Sequence, residues 1–559
     1  MGIIPLNLQS AIQAHLGVLL SWFSDEVYRR LLPHAQTHFL AQLHQHLDFA
    51  PLVDACAPYH HGSGPGAPAS HPVPRLVRAL LVKYLLDLSL RELEQTIRWN
   101  LLVKWFVGYA VFESGPDHAT LERFEQWVHK HHTRTFFDQI LIQIDRDYPE
   151  ERCKAQSGDT FAMRAFAANE TLIRLIRHTC QCLLAALADG DPTLFAHVES
   201  QLDRTGLFGA SDEIKEFRLD QTQRGQRLHT TVVAALTCQT LIRAQLSALP
   251  PTHSPRLQPV LAWLDTLDKI FTDELAITRD DAGQVTAVSE LPKNKKGDYR
   301  IASATDPAAT FRVHGEHIDF GYNVSLATTK SFVCEIRADT GSQPDSVAIP
   351  DLIAAQLAHR DVVPPKLIYD MAAGTGKSHA QVDRVSHGRT QLVAPLMPYD
   401  QRAGRLGPDD FALSPDGLSL TCPHGKVSST AYRSHSGEGR SFRFTPDQCA
   451  RCPLAPDCRG DRLPSHHMRQ VFISDHRSIL AAARTYALTP DFRQDLSQRA
   501  TIERIIANLV RYHGARHARR RGRSWCDYQV KMNATAFNIR QWLRLLQRPT
   551  AAPAQPPCS

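Results

Sequence analysis

Apolar residues recur at helical spacing through the first 150 residues of the chain. Residues 1–62 are predicted to form N-terminal helices, and residues 63–74, rich in Gly, Pro, Ala and Ser, are predicted to form a linker. Residues 75–150 are predicted to form a compact helical unit, because apolar side chains return every four residues from Leu76. Within that unit, Ser89-Leu90-Arg91-Glu92 has the pattern of a capping box that begins a helix.

Strand-like segments appear after residue 150 and alternate with helical ones. The predicted strands begin near Lys154 and continue at Phe311–Val313, Ile318–Val324, Phe332–Ile336 and Leu367–Asp370. Residues 171–290 are mostly helical in pattern and are predicted as a helical insertion. Further helices are predicted at Asp351–His359, Pro490–Arg511 and Tyr528–Gln547. This alternation predicts an α/β core after an all-helical N-terminal region.

Segment 396–466 differs from the rest of the chain because it is rich in Pro, Gly and Cys and shows little periodicity. It is predicted to be a small Cys-rich module inserted into the core. The core itself is then predicted to consist of residues 151–395 and 467–548. The Pro/Ala tail at 549–559 is predicted to be disordered.

Composition narrows the class of protein. The chain has 559 residues, of which 43% are apolar and 21% charged, as expected for a soluble protein of several domains. We expect neither a signal peptide nor a membrane span, since no stretch approaches about 18 uncharged apolar residues. Twelve cysteines without a secretory signal favour the cytoplasm, and metal binding over disulfides. The net charge of +6 is concentrated in a C-terminal arginine run, which indicates a local polyanion site.

Three carboxylates stand in settings that suit a metal site. Asp159 enters the first predicted strand, Asp370 ends a short apolar strand, and Glu503 lies on a predicted helix. Each alone is more often a cap or turn residue. Together, acids at strand ends and on a helix of an α/β core suit two Mg²⁺ ions, because hard cations take carboxylate oxygens.

Arginines crowd around the third acid. Glu503 is the only acid in residues 499–523, which contain eight arginines. Such arginines can hold a polyphosphate backbone. The candidate DNA-binding residues are Arg499, Arg511, Arg516, Arg519, Arg520, Arg521 and Arg523. The alternative for the run 516–523 is a solvated turn or helix end, and Trp525 is expected to anchor the next helix rather than stack on a base.

Four cysteines of the inserted segment have the spacing of a structural Zn²⁺ site. They are Cys422, Cys449, Cys452 and Cys458, and the second and third form a C-x₂-C pair. A segment this short has little core of its own, so one Zn²⁺ could supply its stability. An Fe–S centre and four unligated surface thiols are the alternatives.

Several sequence blocks occur in the order found in a known family. They are Pro74–Leu81, Arg91–Leu93, Arg98–Leu102, Trp105–Gly108, Pro116–Leu121, Gly158–Thr160, Ser303–Ala309, Gly321–Val324 and Leu367–Gly374, followed by Glu503 and its basic region. Through them, roughly residues 70–548 resemble a DDE transposase of bacterial insertion sequences. The resemblance is closest to the insertion-sequence-1182-like branch of the insertion-sequence-4 supergroup.

The resemblance implies an RNase H-like catalytic core in which Asp159, Asp370 and Glu503 hold two Mg²⁺ ions. It implies a transposase that cuts the ends of an insertion element and joins the freed 3′-OH to target DNA. The implied partners are double-stranded DNA, which the helical unit at 75–150 is expected to help bind, and a second copy of the chain. The family's insertion carries a similar cysteine cluster.

The chain departs from the family pattern around two of the acids. Leu496 and Val510 stand where the Tyr and Lys of a Y-(2)-R-(3)-E-(6)-K pattern are usual, although Arg499 matches. Asp370 is followed by Met-Ala-Ala and not by the usual x-Gly-Tyr. Two alternatives therefore stay open: a catalytically silent DNA-binding descendant, and an RNase H-like nuclease without strand transfer.

Overall fold

The computed structural model describes residues 6–60, 71–247, 254–396, 406–434, 437–459 and 469–547. Most of the predicted linker and all of the predicted disordered tail lie outside these residues. Among the described helices, none combines the length and apolar character needed to cross a membrane.

The N-terminal region is helical, as predicted. Its helices are α1 (Leu6–Leu31), α2 (Phe39–His46), α3 (Ala50–Cys56), α4 (Val73–Leu85), α5 (Leu90–Trp99), α6 (Leu101–Val107), α7 (His118–His131) and α8 (Thr135–Asp147). The predicted capping box is confirmed: the Glu92 N–H donates to Ser89 Oγ (3.2 Å) and the Ser89 N–H donates to Glu92 Oε2 (2.7 Å). This cap satisfies amides that have no partner inside α5.

Strand β1 (Gln156–Arg164) is followed by a long helical segment. Its elements are α9 (Leu172–Gly190), α10 (Pro192–Glu199), α11 (Arg204–Phe208), α12 (Gln221–Ser247), α13 (Ser254–Glu274), β2 (Leu275–Arg279) and β3 (Val285–Glu290). These helices bury a hydrophobic cluster of their own. The hairpin of β2 and β3 was not predicted, because both strands are largely exposed and lack the alternation of a half-buried strand.

The main sheet is mixed. Its remaining strands are β4 (Thr310–His314), β5 (His317–Thr328), β6 (Val333–Thr340), β7 (Lys366–Ile368) and β8 (Gln391–Val393). The order is β4-β5-β1-β7-β8, with β6 also paired to β5. Strand β1 runs antiparallel to β5 and parallel to β7, and β7 runs parallel to β8. Helices α14 (Ile349–Arg360) and α15 (Gly376–Ser386) connect the parallel strands, so the predicted α/β class is confirmed.

The Cys-rich segment consists of very short elements. They are β9 (Ala412–Leu413), β10 (Leu420–Thr421), β11 (Val427–Ser428), β12 (Ala431–Arg433), β13 (Gly439–Phe444), α16 (Pro446–Cys449), α17 (Ala455–Arg459) and β14 (Arg469–Ser474). A small cluster that includes Phe411, Phe442 and Val471 forms its core. Strand β14 lies beyond the predicted boundary at 466 but completes the sheet of this segment.

Four helices follow: α18 (Arg477–Ala487), α19 (Pro490–Ser497), α20 (Ala500–Tyr512) and α21 (Arg523–Leu546). The prediction of one helix at Pro490–Arg511 is wrong in one respect, because this segment forms two helices, α19 and α20. Helix α19 ends where the Ser497 hydroxyl donates to the Gln494 carbonyl (2.6 Å). Such a local bond competes with continued helix formation.

Helix α21 covers the edge of the sheet. Asn538, which is fully buried, accepts from the Val333 N–H (2.9 Å) and donates to the Val333 carbonyl (2.9 Å). Asp527 Oδ1 accepts from the Ala338 N–H (3.1 Å). Because β6 has β5 as its strand partner, these side chains satisfy the groups that its open edge presents.

We expect Asn538→Ala to lower the free energy of unfolding by roughly 2–4 kcal/mol, because it leaves two buried backbone groups unpaired. Urea unfolding would measure the loss, and amide exchange at Val333 should accelerate. The matched control is Asn533→Ala on the same helix. Asn533 is equally buried, but its side-chain atoms have no hydrogen-bond partner among the described residues. An equal loss in both variants would show that the Asn538 contact with β6 is not the cause.

Candidate functional site

The pairing of β1 with β7 brings two of the predicted acids together. In this parallel pair, Ser157 lies opposite Ile368. Asp159 follows Ser157 by two residues, and Asp370 follows Ile368 by two residues, so the same register places the two aspartates side by side. Asp370 lies just beyond the end of β7, where its Oδ1 accepts from the Ala372 N–H (3.0 Å) and caps a short helical turn.

The charge environment shows that the two carboxylates interact. Asp159 Oδ1 accepts from the Thr160 N–H (2.8 Å), and Asp159 Oδ2 accepts from Arg499 Nη2 (3.2 Å). Burial raises the pKa of Asp159, and the neighbouring charge of Asp370 raises it further, while the Thr160 amide and Arg499 act in the opposite direction. A partly buried carboxylate beside a second carboxylate is a setting that a divalent cation would stabilise.

Tyr369 and Gly158 fix the spacing behind this pair. A Cβ at position 158 would lie 2.2 Å from Tyr369 Cε2, so only glycine admits the ring there. The ring is fully buried and its hydroxyl has no hydrogen-bond partner among the described residues. Burial raises the pKa of Tyr369, as do Asp345, Asp159 and Asp370, which all act on this ring.

Three residues near the acids were missed by the sequence interpretation. Arg312 Nη2 donates to Thr160 Oγ1 (2.8 Å) and lies 3.8 Å from Asp345 Oδ2. Asn323 Nδ2 donates to Asp345 Oδ1 (2.7 Å). Asn323 lies inside the Gly321–Val324 block and could have been suspected, whereas no local pattern marks Arg312 or Asp345.

Arg499 and Glu503 lie at the beginning of α20. Arg499 is the residue before the helix, and Glu503 follows four residues later on the same face. Arg499 contacts Asp159, whereas the Glu503 side chain is exposed and makes no hydrogen bond or ion pair with a described residue. The structure thus joins Asp159, Asp370 and Arg499 and places Glu503 one helical turn from Arg499.

Within the described parts of the chain, no group of three or more His, Cys, Asp or Glu side chains is arranged closely enough to hold a metal ion. The acid pair nevertheless fits a hard cation in donor chemistry, because both groups are carboxylates and both are held by backbone N–H groups. Glu503 is the third predicted acid and would have to complete this set of metal ligands.

The arginine run largely contacts the protein itself. Arg516 donates to the Ala162 carbonyl (3.1 Å), and the backbone around it pairs with the end of β1. Arg519 forms an ion pair with Asp87 and donates to the Leu88 carbonyl (3.1 Å). Arg520 Nη2 lies 2.9 Å from Glu122 Oε1. These contacts connect the run to the N-terminal helices.

The other predicted arginines are more exposed. Arg521 donates to the Phe166 carbonyl (3.3 Å), and Arg523 lies 3.6 Å from Asp339. Arg511, on the last turn of α20, is exposed and has no ion pair among the described residues. Trp525 stacks on His129 with ring centroids 3.7 Å apart, so its expected role as an anchor is confirmed.

The four cysteines of the inserted segment are partly buried. Burial raises the pKa of Cys458, and Cys449, Cys452 and Cys422 raise it further, whereas Arg469 lowers it. The Lys426 N–H donates to Cys422 Sγ (3.3 Å), a contact that also suits a thiolate. Among the described residues, however, no three of these sulfurs are arranged closely enough to hold a metal ion.

Two family models match the chain. A model described as "Transposase DDE domain" matches residues 421–543, and one described as "Transposase domain (DUF772)" matches residues 26–127. The first match includes Glu503, whereas Asp159 and Asp370 lie outside both. Neither a curated protein nor a solved structure matches the chain. The two matches indicate a transposase of the DDE type, and a DDE domain implies an RNase H-like core.

We expect Gly158→Ala to lower the free energy of unfolding by about 1–3 kcal/mol, because the added methyl group overlaps the Tyr369 ring. Urea unfolding would measure it. The matched control is Gly225→Ala on α12, where nothing lies within 4 Å of the new Cβ. Alanine is the better helix former, so the control should be neutral or more stable by up to about 1 kcal/mol. An unchanged Gly158→Ala protein would contradict the described packing.

Proposed function

We propose that the chain is a DNA transposase that cuts the ends of an insertion element and joins the freed 3′-OH to target DNA. The observation that carries this proposal is the adjacency of Asp159, inside β1, and Asp370, just beyond the end of the parallel strand β7. The match to a transposase DDE domain supports the reaction class. The ordered sequence blocks support placement in the insertion-sequence-1182-like branch.

In the proposed site, Asp159, Asp370 and Glu503 would hold two Mg²⁺ ions. When bound, the ions would supply Lewis-acid activation of the attacking oxygen and charge stabilisation of the leaving oxygen. The residues of the chain prepare this site. The Thr160 and Ala372 amides orient the two aspartates, and Arg499 restrains Asp159 from the side of α20.

The proposed substrate is double-stranded DNA. Arginines on and after α20 would contact phosphates, because a guanidinium without an acid partner is free to bind an anion. Among the predicted residues, Arg511 and Arg521 are exposed, have no ion pair with a described residue and suit this role best, whereas the exposed Arg523 lies 3.6 Å from Asp339. Arg516, Arg519 and Arg520 would contribute indirectly by holding the N-terminal helices against the core.

We expect Asp159→Asn, Asp370→Asn and Glu503→Gln each to reduce Mg²⁺-dependent DNA cleavage by at least about 100-fold, the order seen when one charge-stabilising group is removed. Duplex binding should change by no more than a few fold, since no phosphate contact is lost. The measurement uses a duplex with the terminal repeats that flank the coding sequence.

The control is Glu316→Gln, which removes an exposed carboxylate at the turn between β4 and β5 and should cleave normally. Full activity in any one of the three acid variants would show that the substituted residue is not part of the catalytic site. A wild-type protein that binds but never cleaves would support the silent descendant. Cleavage without joining of a pre-cut 3′-OH would support the nuclease.

We also propose that Cys422, Cys449, Cys452 and Cys458 hold one structural Zn²⁺. What supports this proposal is the spacing of the four cysteines, with one C-x₂-C pair, in a segment whose core is small. Four thiolates would complete the closed set of ligands typical of structural zinc.

Purified protein is expected to contain about one zinc per chain, the content of a single four-ligand site. Elemental analysis of Cys449→Ser/Cys452→Ser should show the zinc lost. The matched control is Cys182→Ser, which alters a partly buried thiol on α9 and should keep the metal. Iron in place of zinc would favour an Fe–S centre, and absence of both metals from the wild-type protein would refute the proposal.

A further inference from the structure

Two arginines near the end of α21 have no acid partner among the described residues. Arg540 and Arg544 lie one turn apart on this helix. Neither forms an ion pair with any described residue, whereas Arg519 and Arg520 both do. Burial lowers the pKa of Arg540, and the charge of Arg544 lowers it further, so the two guanidinium groups lie close enough to repel. Two uncompensated like charges at one place favour a bound anion.

These arginines line a cavity of about 520 Å³ between the ends of α4, α20 and α21. Arg540 is already oriented there. Its Nη2 donates to the Leu85 carbonyl (2.8 Å), and its guanidinium lies over the Phe39 ring at 3.7 Å from the centroid. A guanidinium held in this way loses little freedom when it binds, which favours affinity.

The other polar groups of the cavity add hydrogen-bonding capacity and no negative charge. Asn508, Tyr512 and His513 line it. The His513 ring is buried and its Nδ1 has no partner among the described residues. Burial, together with Arg540 and Arg544, lowers the pKa of His513 to about 4, so the ring is neutral at neutral pH. Tyr512 is 65% exposed and stands at the rim.

A basic face of α20 connects this cavity with the candidate catalytic end of the helix. Arg504, Asn508 and Arg511 recur at helical spacing and share one face. The two arginines are exposed and have no ion pair among the described residues. From Glu503 to Tyr512 the helix rises by roughly 14 Å, at 1.5 Å per residue. That length corresponds to about four base pairs of duplex, at about 3.4 Å per nucleotide along one strand.

We propose that the cavity lined by Arg540 and Arg544 binds a backbone phosphate of duplex DNA, about four base pairs from the cleaved bond. This inference rests on the proposed function, because it takes DNA as the substrate. It assigns the main phosphate-binding track to α20 and the end of α21, while the run 516–523 largely joins the N-terminal helices to the core. A contact with a backbone phosphate reads no base, so the contribution of the cavity to binding is independent of the DNA sequence.

The test is the salt dependence of binding to a 30-base-pair duplex of arbitrary sequence (about three helical turns), followed by fluorescence anisotropy. Arg540→Gln/Arg544→Gln should reduce the slope of log K against log salt by about 0.9, since the loss of one phosphate contact contributes about 0.9. Arg544→Gln alone should reduce the slope in the same direction and by no more than the double variant. This single variant guards against misfolding, because Arg544 is exposed and has no ion pair among the described residues.

The charge-matched control is Arg256→Gln/Arg279→Gln, in the helical segment between β1 and β4, which should leave the slope unchanged. An equal slope for wild type, Arg544→Gln and the double variant would overturn the inference while DNA binding itself stands. Absence of duplex binding by the wild-type protein would instead overturn the proposed function. A third outcome is that inorganic phosphate binds the protein through Arg540 and Arg544 while the salt slope for duplex binding is the same in wild type and variants. That outcome would assign the cavity to a free anion and would also overturn the inference.

Discussion

The parallel pairing of β1 with β7 is the constraint on which the rest of the candidate site depends. One register of these two strands places Asp159 beside Asp370, and a shift by one residue would turn the side chains of one strand to the opposite face. Gly158 and Tyr369 secure that register, because the buried ring occupies the space that a side chain at 158 would need. The candidate metal site is therefore a consequence of packing behind the acids as much as of the acids themselves.

Contacts with the N-terminal helices make the core and the helical region one structure. A single hydrophobic cluster runs from α2 through the sheet to α21. Arg519, Arg520 and Arg540 add polar contacts across the same boundary, with Asp87, Glu122 and the Leu85 carbonyl as their partners. Helix α20, which begins directly after Arg499 and carries Glu503, packs into the same cluster. A movement of the N-terminal helices during DNA binding would therefore displace α20 as well.

The sequence predicted elements best where local rules act. The capping box at Ser89, the strands around the acids and the anchoring of Trp525 all follow from short-range patterns. The hairpin of β2 and β3 escaped prediction because its exposed strands carry no buried face, and the break between α19 and α20 lies where the Ser497 hydroxyl bonds to the Gln494 carbonyl. The partners of Arg519 and Arg520 could not be predicted, because Asp87 and Glu122 lie far away in sequence. The same holds for Arg312 and Asp345.

The central claim is that Asp159 and Asp370 together hold a divalent cation. The most direct test is Mn²⁺ binding to the whole protein, followed by electron paramagnetic resonance, with wild type compared with Asp159→Asn and Asp370→Asn. We expect wild-type protein to bind Mn²⁺ and each single substitution to weaken binding by at least about 10-fold, as loss of one ligand from a shared site requires. Undiminished Mn²⁺ binding in both variants would contradict the account.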